Sequence, residues 1–311
     1  MKALQFDAYG PIERLVLRDV PPPRPRGGPL VRVRAAALNP KDALFRKGRF
    51  RLLSGRRFPK FTGVDFAGTV EVPHGELRAG DAVFGALHEW TFARGTLAEL
   101  VAPRAAEVAR LPPDVDPAHA AAIALVGLTA LQALRDLARV GPGAEVLVNG
   151  ASGGVGTAAI QLARLLGARV TTVSSDATAA LCRSLGAAET AGYGELEGLL
   201  ASGRFDAVFD VFGNLRFARA RGALRRRGVF VSTVPSPRRL LREVVSRLSP
   251  QEERLVIVRP NRADLDALGA WLQAGALRAV VDGRFPLAAH AEAFRRLESK
   301  HAHGKLVIDV G

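Results

Sequence analysis

An α/β fold is predicted for this chain, a doubly wound parallel sheet joined to a β-rich unit, and three observations predict it. From Ala144 onward short apolar runs alternate with helical stretches, an order that implies parallel strands with right-handed crossovers and helices on both faces. A turn rich in glycine, residues 150–156, stands between the first of those strands and its helix. The first hundred residues instead show a period of two broken by glycine and proline, the pattern of short half-buried strands.

Val31, Val33 and Ala35 alternate with Arg32 and Arg34, and Val64, Phe66, Gly68 and Val70 alternate with Asp65, Ala67 and Thr69, so each run presents one face to a core. Turns are expected at Pro21-Pro22-Pro23 and at Gly27-Gly28-Pro29, where φ is fixed or freed by the residue type. After Pro112-Pro113 the rhythm changes to an alanine-rich helix over 118–124. Strands are then expected at 146–148, 169–174, 205–212, 229–234 and 255–258, amphipathic helices at 265–274 and 288–298, and a last strand at 305–310. Spacing leaves open whether this tail extends the parallel sheet or folds back onto the first unit.

Composition narrows the function classes. The 311 residues are 48% hydrophobic and 24% charged, enough apolar side chain for sizeable cores, which excludes disordered and collagen-like classes. A single cysteine, Cys182, excludes an internal disulfide framework and any zinc site built from several thiolates. It sits in a helical run and suits a small buried hydrophobe. Residues 1–10 lack the apolar core of an export signal, so a cytoplasmic location is expected. The uncharged run 117–134 carries His119, Gly127, Thr129 and Gln132 and reads as a buried helix rather than a membrane span. Net charge is +14, nearly all from arginine, with lysine at only six positions. Arginines cluster at Arg225, Arg226 and Arg227, then at Arg238, Arg239 and Arg242; the first three are expected to form a solvated helix end. Aromatic residues are only 6%, too few to interleave with the charge for stacking, so no specific nucleic-acid partner is expected.

The segment Val146-Leu147-Val148-Asn149-Gly150-Ala151-Ser152-Gly153-Gly154-Val155-Gly156 carries the most chemistry. A buried strand runs through small residues into a helix over 157–166, and small residues let backbone approach a pyrophosphate lying against the free N–H groups of the helix start. Ala151 stands where the first glycine of G-x-G-x-x-G is usual, with Gly153 and Gly156 at the other two positions. The second strand of this βαβ unit ends at Ser174-Ser175, where an acidic residue would bind the ribose 2′-hydroxyl of NAD. Serine leaves room for a 2′-phosphate, which favours NADPH, while Asp176 would repel that phosphate unless turned away. A Rossmann dinucleotide-binding domain is therefore expected.

Further motifs occur in a fixed order: Ala37-Leu38-Asn39-Pro40-Lys41-Asp42, then Phe61-Thr62-Gly63-Val64-Asp65-Phe66-Ala67-Gly68, Gly80-Asp81-Ala82-Val83-Phe84-Gly85, Gly95-Thr96-Leu97-Ala98-Glu99, Gly127-Leu128-Thr129-Ala130, Leu185-Gly186-Ala187 and Gly304-Lys305-Leu306-Val307. Together with the glycine loop they resemble the zinc-independent quinone oxidoreductase branch of the medium-chain dehydrogenase/reductase superfamily over nearly the whole chain. The resemblance implies a GroES-like substrate domain from 1–117 and 260–311, a Rossmann domain at 118–259, and a cofactor cleft between them. It implies nicotinamide near the catalytic candidates Asn39 and Asp42 and near Thr129, and pyrophosphate at Ala151, Ser152, Gly153, Gly154 and Val155. Adenosine phosphate would lie near Ser174, Ser175, Tyr193 and Lys305, with Val211, Phe212, Gly213 and Ser232 at the nicotinamide strand ends. The cysteine and histidine ligands of zinc-dependent relatives, expected near Asn39, near Val64 and before Thr129, have no counterpart here, so no metal is expected. Relatives are commonly dimers, and a homodimer is expected.

The reaction so implied is hydride transfer from NADPH to a quinone or to the β-carbon of an enone, followed by protonation. A flat acceptor would pack on Phe50, Phe61 or Phe92. Similar reductases carry a cleft tyrosine where this chain has Leu44 or Phe50, which leaves water, Lys41 or His88 as the proton source. The missing tyrosine also motivates a different reading, an NADP-binding sensor or structural module without turnover.

Overall fold

The computed structural model describes residues 1–235, 242–243, 245–246 and 249–311; Arg238 and Arg239 of the arginine cluster lie outside them. Two compact units are present, Met1–Leu125 with Arg259–Gly311, and Val126–Val258.

The first unit is built of antiparallel strands. A small sheet pairs β1 (Lys2–Phe6) with β2 (Val16–Asp19), and on its other side with β4 (Lys60–Phe61). The larger sheet contains β3 (Leu30–Ala37), β5 (Asp65–Val72), β6 (Ala82–Ala86), β7 (Leu100–Val101) and β8 (Val108–Arg110), joined by β15 (Val281–Pro286) and β16 (Lys305–Asp309) from the tail. Its order is β15-β16-β3-β5-β6-β8, with β7 also paired to β3. Because β16 runs antiparallel to β3, with Val307 opposite Ala37, the tail folds back onto the first unit. Alternation buries Val31, Val33, Val64, Phe66, Leu306 and Ile308 in one core with Leu4, Phe6 and Phe294. Helices α1 (Pro40–Arg46) and α2 (Arg51–Ser54) follow β3. The long helix α3 (Pro117–Leu131) starts in this unit.

The second unit is the doubly wound sheet. Six parallel strands, β9 (Glu145–Asn149), β10 (Arg169–Val173), β11 (Glu189–Ala191), β12 (Phe205–Asp210), β13 (Leu224–Ser232) and β14 (Glu252–Leu255), stand in the order β11-β10-β9-β12-β13-β14. The chain winds outward one way from β9 and then crosses to β12 to wind the other way, the arrangement of a Rossmann fold. Its connections include α4 (Gly154–Leu165), α5 (Ala179–Ser184), α6 (Leu196–Leu200) and α7 (Phe217–Ala220). In the tail, α8 (Arg262–Gln273) and α9 (His290–Glu298) return to the first unit.

Two expectations change. Arg225, Arg226 and Arg227 are not a helix end: they lie in β13 as an exposed bulge, because Leu224 pairs with Phe205 while Val229 already pairs with Ala207. Three consecutive cations are tolerated there because the extra residues leave the ladder and reach water. The apolar helix is longer than expected, continuing as π-helical turns over Gln132–Leu137. The resulting Pro117–Leu137 stretch is apolar and long enough to cross a membrane by composition alone, and 78% of its most apolar window is buried, as a core helix requires.

Candidate functional site

At the carboxyl ends of the parallel strands, the glycine loop is fixed by backbone. The amides of Gly150 and Ala151 both donate to the Val173 carbonyl, at 3.1 and 3.2 Å, so the turn is tied to the neighbouring strand. Gly150 has φ +84°, left-handed backbone that favours glycine. A Cβ on Gly156 would stand 2.3 Å from the Gly150 oxygen and 2.6 Å from Ala151 carbon atoms, so only glycine lets the first turn of α4 close over the loop. Gly153 differs: a Cβ there would find only the Gly150 oxygen, at 3.8 Å. It is also the N-cap of α4 and supplies no side-chain cap, so the helix start faces open space with N–H groups that need an acceptor. This cradle fits a dinucleotide pyrophosphate. Ser152, Gly153, Gly154 and Val155 form its accessible rim. Ala151 does not: it is buried and its amide is already bonded.

The neighbouring strand end is organised by Asp210, fully buried at the end of β12. Its carboxylate accepts from Asn149 Nδ2 at 2.8 Å and from the amides of Gly213 and Leu215 at 3.0 Å. Those bonds fix the segment holding Val211, Phe212 and Gly213 beside the glycine loop, with Phe212 exposed. Ser232 and Thr129 are both buried, on β13 and α3.

The adenosine residues behave unequally. Ser174 is buried with Oγ 3.6 Å from Cys182 Sγ, so it faces the interior and cannot reach a ribose phosphate, contrary to the sequence reading. Ser175 is accessible, its hydroxyl 3.1 Å from Thr178 Oγ1, and Tyr193 is exposed. Asp176 is exposed and its carboxylate lies against the Cα of Gly192. Lys305 also departs from expectation. It belongs to the first unit, buried, and donates to Asn39 Oδ1 at 2.6 Å and to Asp65 Oδ2 at 3.0 Å, so its ammonium is spent inside that unit.

The first unit's polar centre surrounds α1. Asn39 is the N-cap, Pro40 follows it, and the Asp42 carboxylate reaches back to accept the Asn39 amide at 2.8 Å, one half of a capping box. Asn39 Nδ2 donates to Asp65 Oδ2 at 2.7 Å, and the Leu125 amide donates to Asp65 Oδ1 at 2.7 Å. Asn39 is therefore a structural bridge between Asp65 and Lys305. Asp42 is fully buried, and its Oδ1 has no hydrogen-bond partner among the described residues. Burial pushes its pKa up to about 6, against the opposing charge of Lys41.

Lys41 is the group that sequence reasoning undervalued. Its ammonium lies 5.4 Å from the centre of the Trp90 ring and makes a long bond of 3.4 Å to the Glu89 carbonyl. Burial holds its pKa below the ordinary lysine value although Asp42, Asp65 and Glu89 pull it upward. Trp90 in turn donates to His88 Nε2 at 3.3 Å. Glu89 is held by Arg94, which also binds Glu107 at 2.7 Å. Beside this cluster the rings of Phe50 and Phe92 pack on Phe45, centroids 4.9 and 4.4 Å away. Phe50 and Phe61 keep accessible surface. Phe92 is fully buried, so its ring belongs to the core and not to a substrate surface. Trp90 and Phe45 carried no sequence signal beyond their type, since only the fold brings α1 against the segment after β6.

Comparisons with known proteins bear on both units. Residues 26–113 match the family model described as alcohol dehydrogenase GroES-like domain, and residues 185–308 the one described as zinc-binding dehydrogenase. The chain is 31% identical to the chloroplast envelope quinone oxidoreductase homolog of Arabidopsis thaliana, covering 99% of this chain and 98% of that one. It is 32% identical to the chloroplastic NADPH-dependent alkenal/one oxidoreductase of the same plant, over 99% of this chain and 79% of that one. Among solved structures it superposes on the quinone oxidoreductase from Coxiella burnetii with a TM-score of 0.91 at 32% identity, covering 100% and 99% of the two chains. The zinc in one family description does not fit the residues present. Among the described residues no group of three or more His, Cys, Asp or Glu could hold a metal ion, and the buried carboxylate of Asp65 is committed to Lys305, Asn39 and the Leu125 amide.

Proposed function

Because the chain belongs to the medium-chain dehydrogenase/reductase superfamily and is a nicotinamide-dependent oxidoreductase related to the quinone oxidoreductases, we propose that it uses NADPH to reduce a quinone or an α,β-unsaturated carbonyl without zinc. The observation that carries this reading is the open, uncapped start of α4 at Gly153, framed by a loop that only glycine can close. When bound, the reduced nicotinamide supplies the hydride. Ser152, Gly153, Gly154 and Val155 bind the pyrophosphate through backbone N–H groups and the positive end of the helix. Val211, Phe212 and Gly213 orient the nicotinamide, kept rigid by Asp210. Phe50 offers the acceptor an apolar ring.

Lys41 holds the proton. A half-buried ammonium on a flexible stem, poorly hydrogen-bonded and with a lowered pKa, both stabilises negative charge developing on the acceptor oxygen and can deliver a proton to it. That assignment answers the missing cleft tyrosine. Zinc-free turnover is supported by the commitment of Asp65 to Lys305, and NADPH by the neutral Ser175 hydroxyl and by the cofactor named for the alkenal/one oxidoreductase. Asp176 favours a second reading, NADH, because with Ser174 turned inward it is the exposed carboxylate at this strand end. The resemblance extends the proposal to a cytoplasmic homodimer.

A side-by-side fluorescence titration with NADPH and NADH, followed by addition of 9,10-phenanthrenequinone or an enal, tests the reading. Tighter NADPH binding with rapid oxidation, retained after dialysis against a chelator, is expected. Tight binding without transfer to any acceptor would favour a sensor, and tighter NADH binding would favour the Asp176 reading.

A further inference from the structure

Apart from Phe50, the segment between α1 and β4 has no part in the chemistry above, and its surface is unusual. Leu52 is 95% exposed and Leu53 65% exposed, side by side on α2. Scattered single apolar residues on a surface need no explanation, but these two are flanked along the chain by Arg49, Arg51, Arg56 and Arg57, all exposed. No acidic residue occurs between Ala43 and Val64. Among the described residues no carboxylate is within ion-pair distance of any of the four guanidinium groups, whereas the nearby Arg46 and Lys47 are paired with Glu298.

The projection is built rather than frayed. Tyr9 Oη bonds the Ser54 hydroxyl at 2.6 Å and donates to the Gly55 carbonyl, and buried Lys60 donates to the Ser54 carbonyl at 2.7 Å. These bonds hold the root of the loop, so the leucines stay exposed on the same short segment as the arginines. A nucleic acid would satisfy the arginines and leave the leucines in water. An anionic bilayer satisfies both, since guanidinium groups pair with lipid phosphates and leucine side chains enter the boundary between headgroups and acyl chains. We propose that residues 49–57 dock the protein on an anionic lipid surface, with Leu52 and Leu53 as the inserted side chains. This inference does not depend on the reaction proposed above.

The test is co-sedimentation of the full chain with vesicles of phosphatidylcholine alone and of phosphatidylcholine mixed with phosphatidylglycerol. Binding to the mixed vesicles and weak binding to the neutral ones is expected, falling as salt shortens the Debye length to about 3 Å at 1 M. Each Arg→Gln change at 49, 51, 56 or 57 should weaken partitioning about fivefold, and Leu52→Ser with Leu53→Ser about tenfold or more. A fluorophore sensitive to polarity, attached at Leu52→Cys, should shift to the blue with mixed vesicles and not when attached at Ala201→Cys in the other unit; native Cys182 is buried. Failure to bind mixed vesicles overturns the proposal. So does a leucine double variant that binds like the parent, which would mean a general polyanion surface, nucleic acid included, or a Leu52 label whose emission does not move.

Discussion

Two glycines three residues apart in the pyrophosphate loop, Gly153 and Gly156, should respond to the same methyl group in opposite ways. In Gly156→Ala the new Cβ would lie 2.3 Å from the Gly150 oxygen and 2.6 Å from Ala151 carbons, all backbone atoms that cannot step aside. Overpacking of this kind costs about 2–3 kcal/mol, a fall in Tm of roughly 6–12 °C for a unit of this size. In Gly153→Ala the Cβ meets one atom at 3.8 Å, and φ is −78°, so alanine is accommodated. Its poorer N-capping and the smaller entropy of its unfolded chain oppose each other, each about 0.5–1 kcal/mol, and leave Tm nearly unchanged. The methyl nevertheless occupies the open face of the helix start. Losing one charge-assisted hydrogen bond there costs about 1.5–3 kcal/mol, which weakens NADPH binding roughly 10- to 150-fold. Thermal melting and a fluorescence titration on both variants separate the two effects. A Gly153→Ala protein that binds NADPH within twofold of the parent would refute the pyrophosphate assignment, and a Gly156→Ala protein of unchanged Tm would refute the packing argument.

Lys41→Met should lower kcat about 100-fold, the lower end for loss of a general acid. In the parent, kcat should be flat at low pH and fall as pH rises through the depressed Lys41 pKa, a limb the variant lacks in a pH–rate profile. Lys305→Met strands the buried Asp65 carboxylate and should cost about 3–5 kcal/mol, much of it recovered in the double variant with Asp65→Asn, as measured by denaturant unfolding. Asp42 binds its proton more tightly folded than unfolded, with a pKa raised from 3.8 to about 6, so its contribution is present at low pH and is lost as pH rises across that window. By linkage the loss is on the order of 3 kcal/mol. The stability of Asp42→Asn relative to the parent should therefore rise between pH 4 and pH 6 in unfolding titrations.

Order along the chain made most of the fold legible. Apolar runs and helical stretches alternate because each strand of a parallel sheet needs a crossover, and the small residues of 150–156 are demanded by backbone approaches that sequence displays directly. Side-chain direction was harder to read. Ser174 follows the buried Val173 and turns to Cys182, so the serine expected at a ribose phosphate faces the core. Lys305 carries a charge that looks available until the fold brings it to Asp65, 240 positions away. Arg225 to Arg227 form a bulge because the register of β13 against β12 slips there, and register is a property of the pair. Lys41 gains its chemistry from Trp90 and from desolvation, neither of which a local motif can express.

The place of β16 in its sheet bears on how the chain is made. It lies between β15 and β3, so residues 35–37 wait for residues 307–309 before their sheet can close, while residues 126–258 contain every strand of the parallel sheet. During synthesis the later-starting unit can finish first, and the β-rich unit stays open, with no ammonium beside Asp65, until residues 305–309 have emerged. Throughout that interval the edge of β3 and its apolar face are the surfaces a chaperone has most reason to hold.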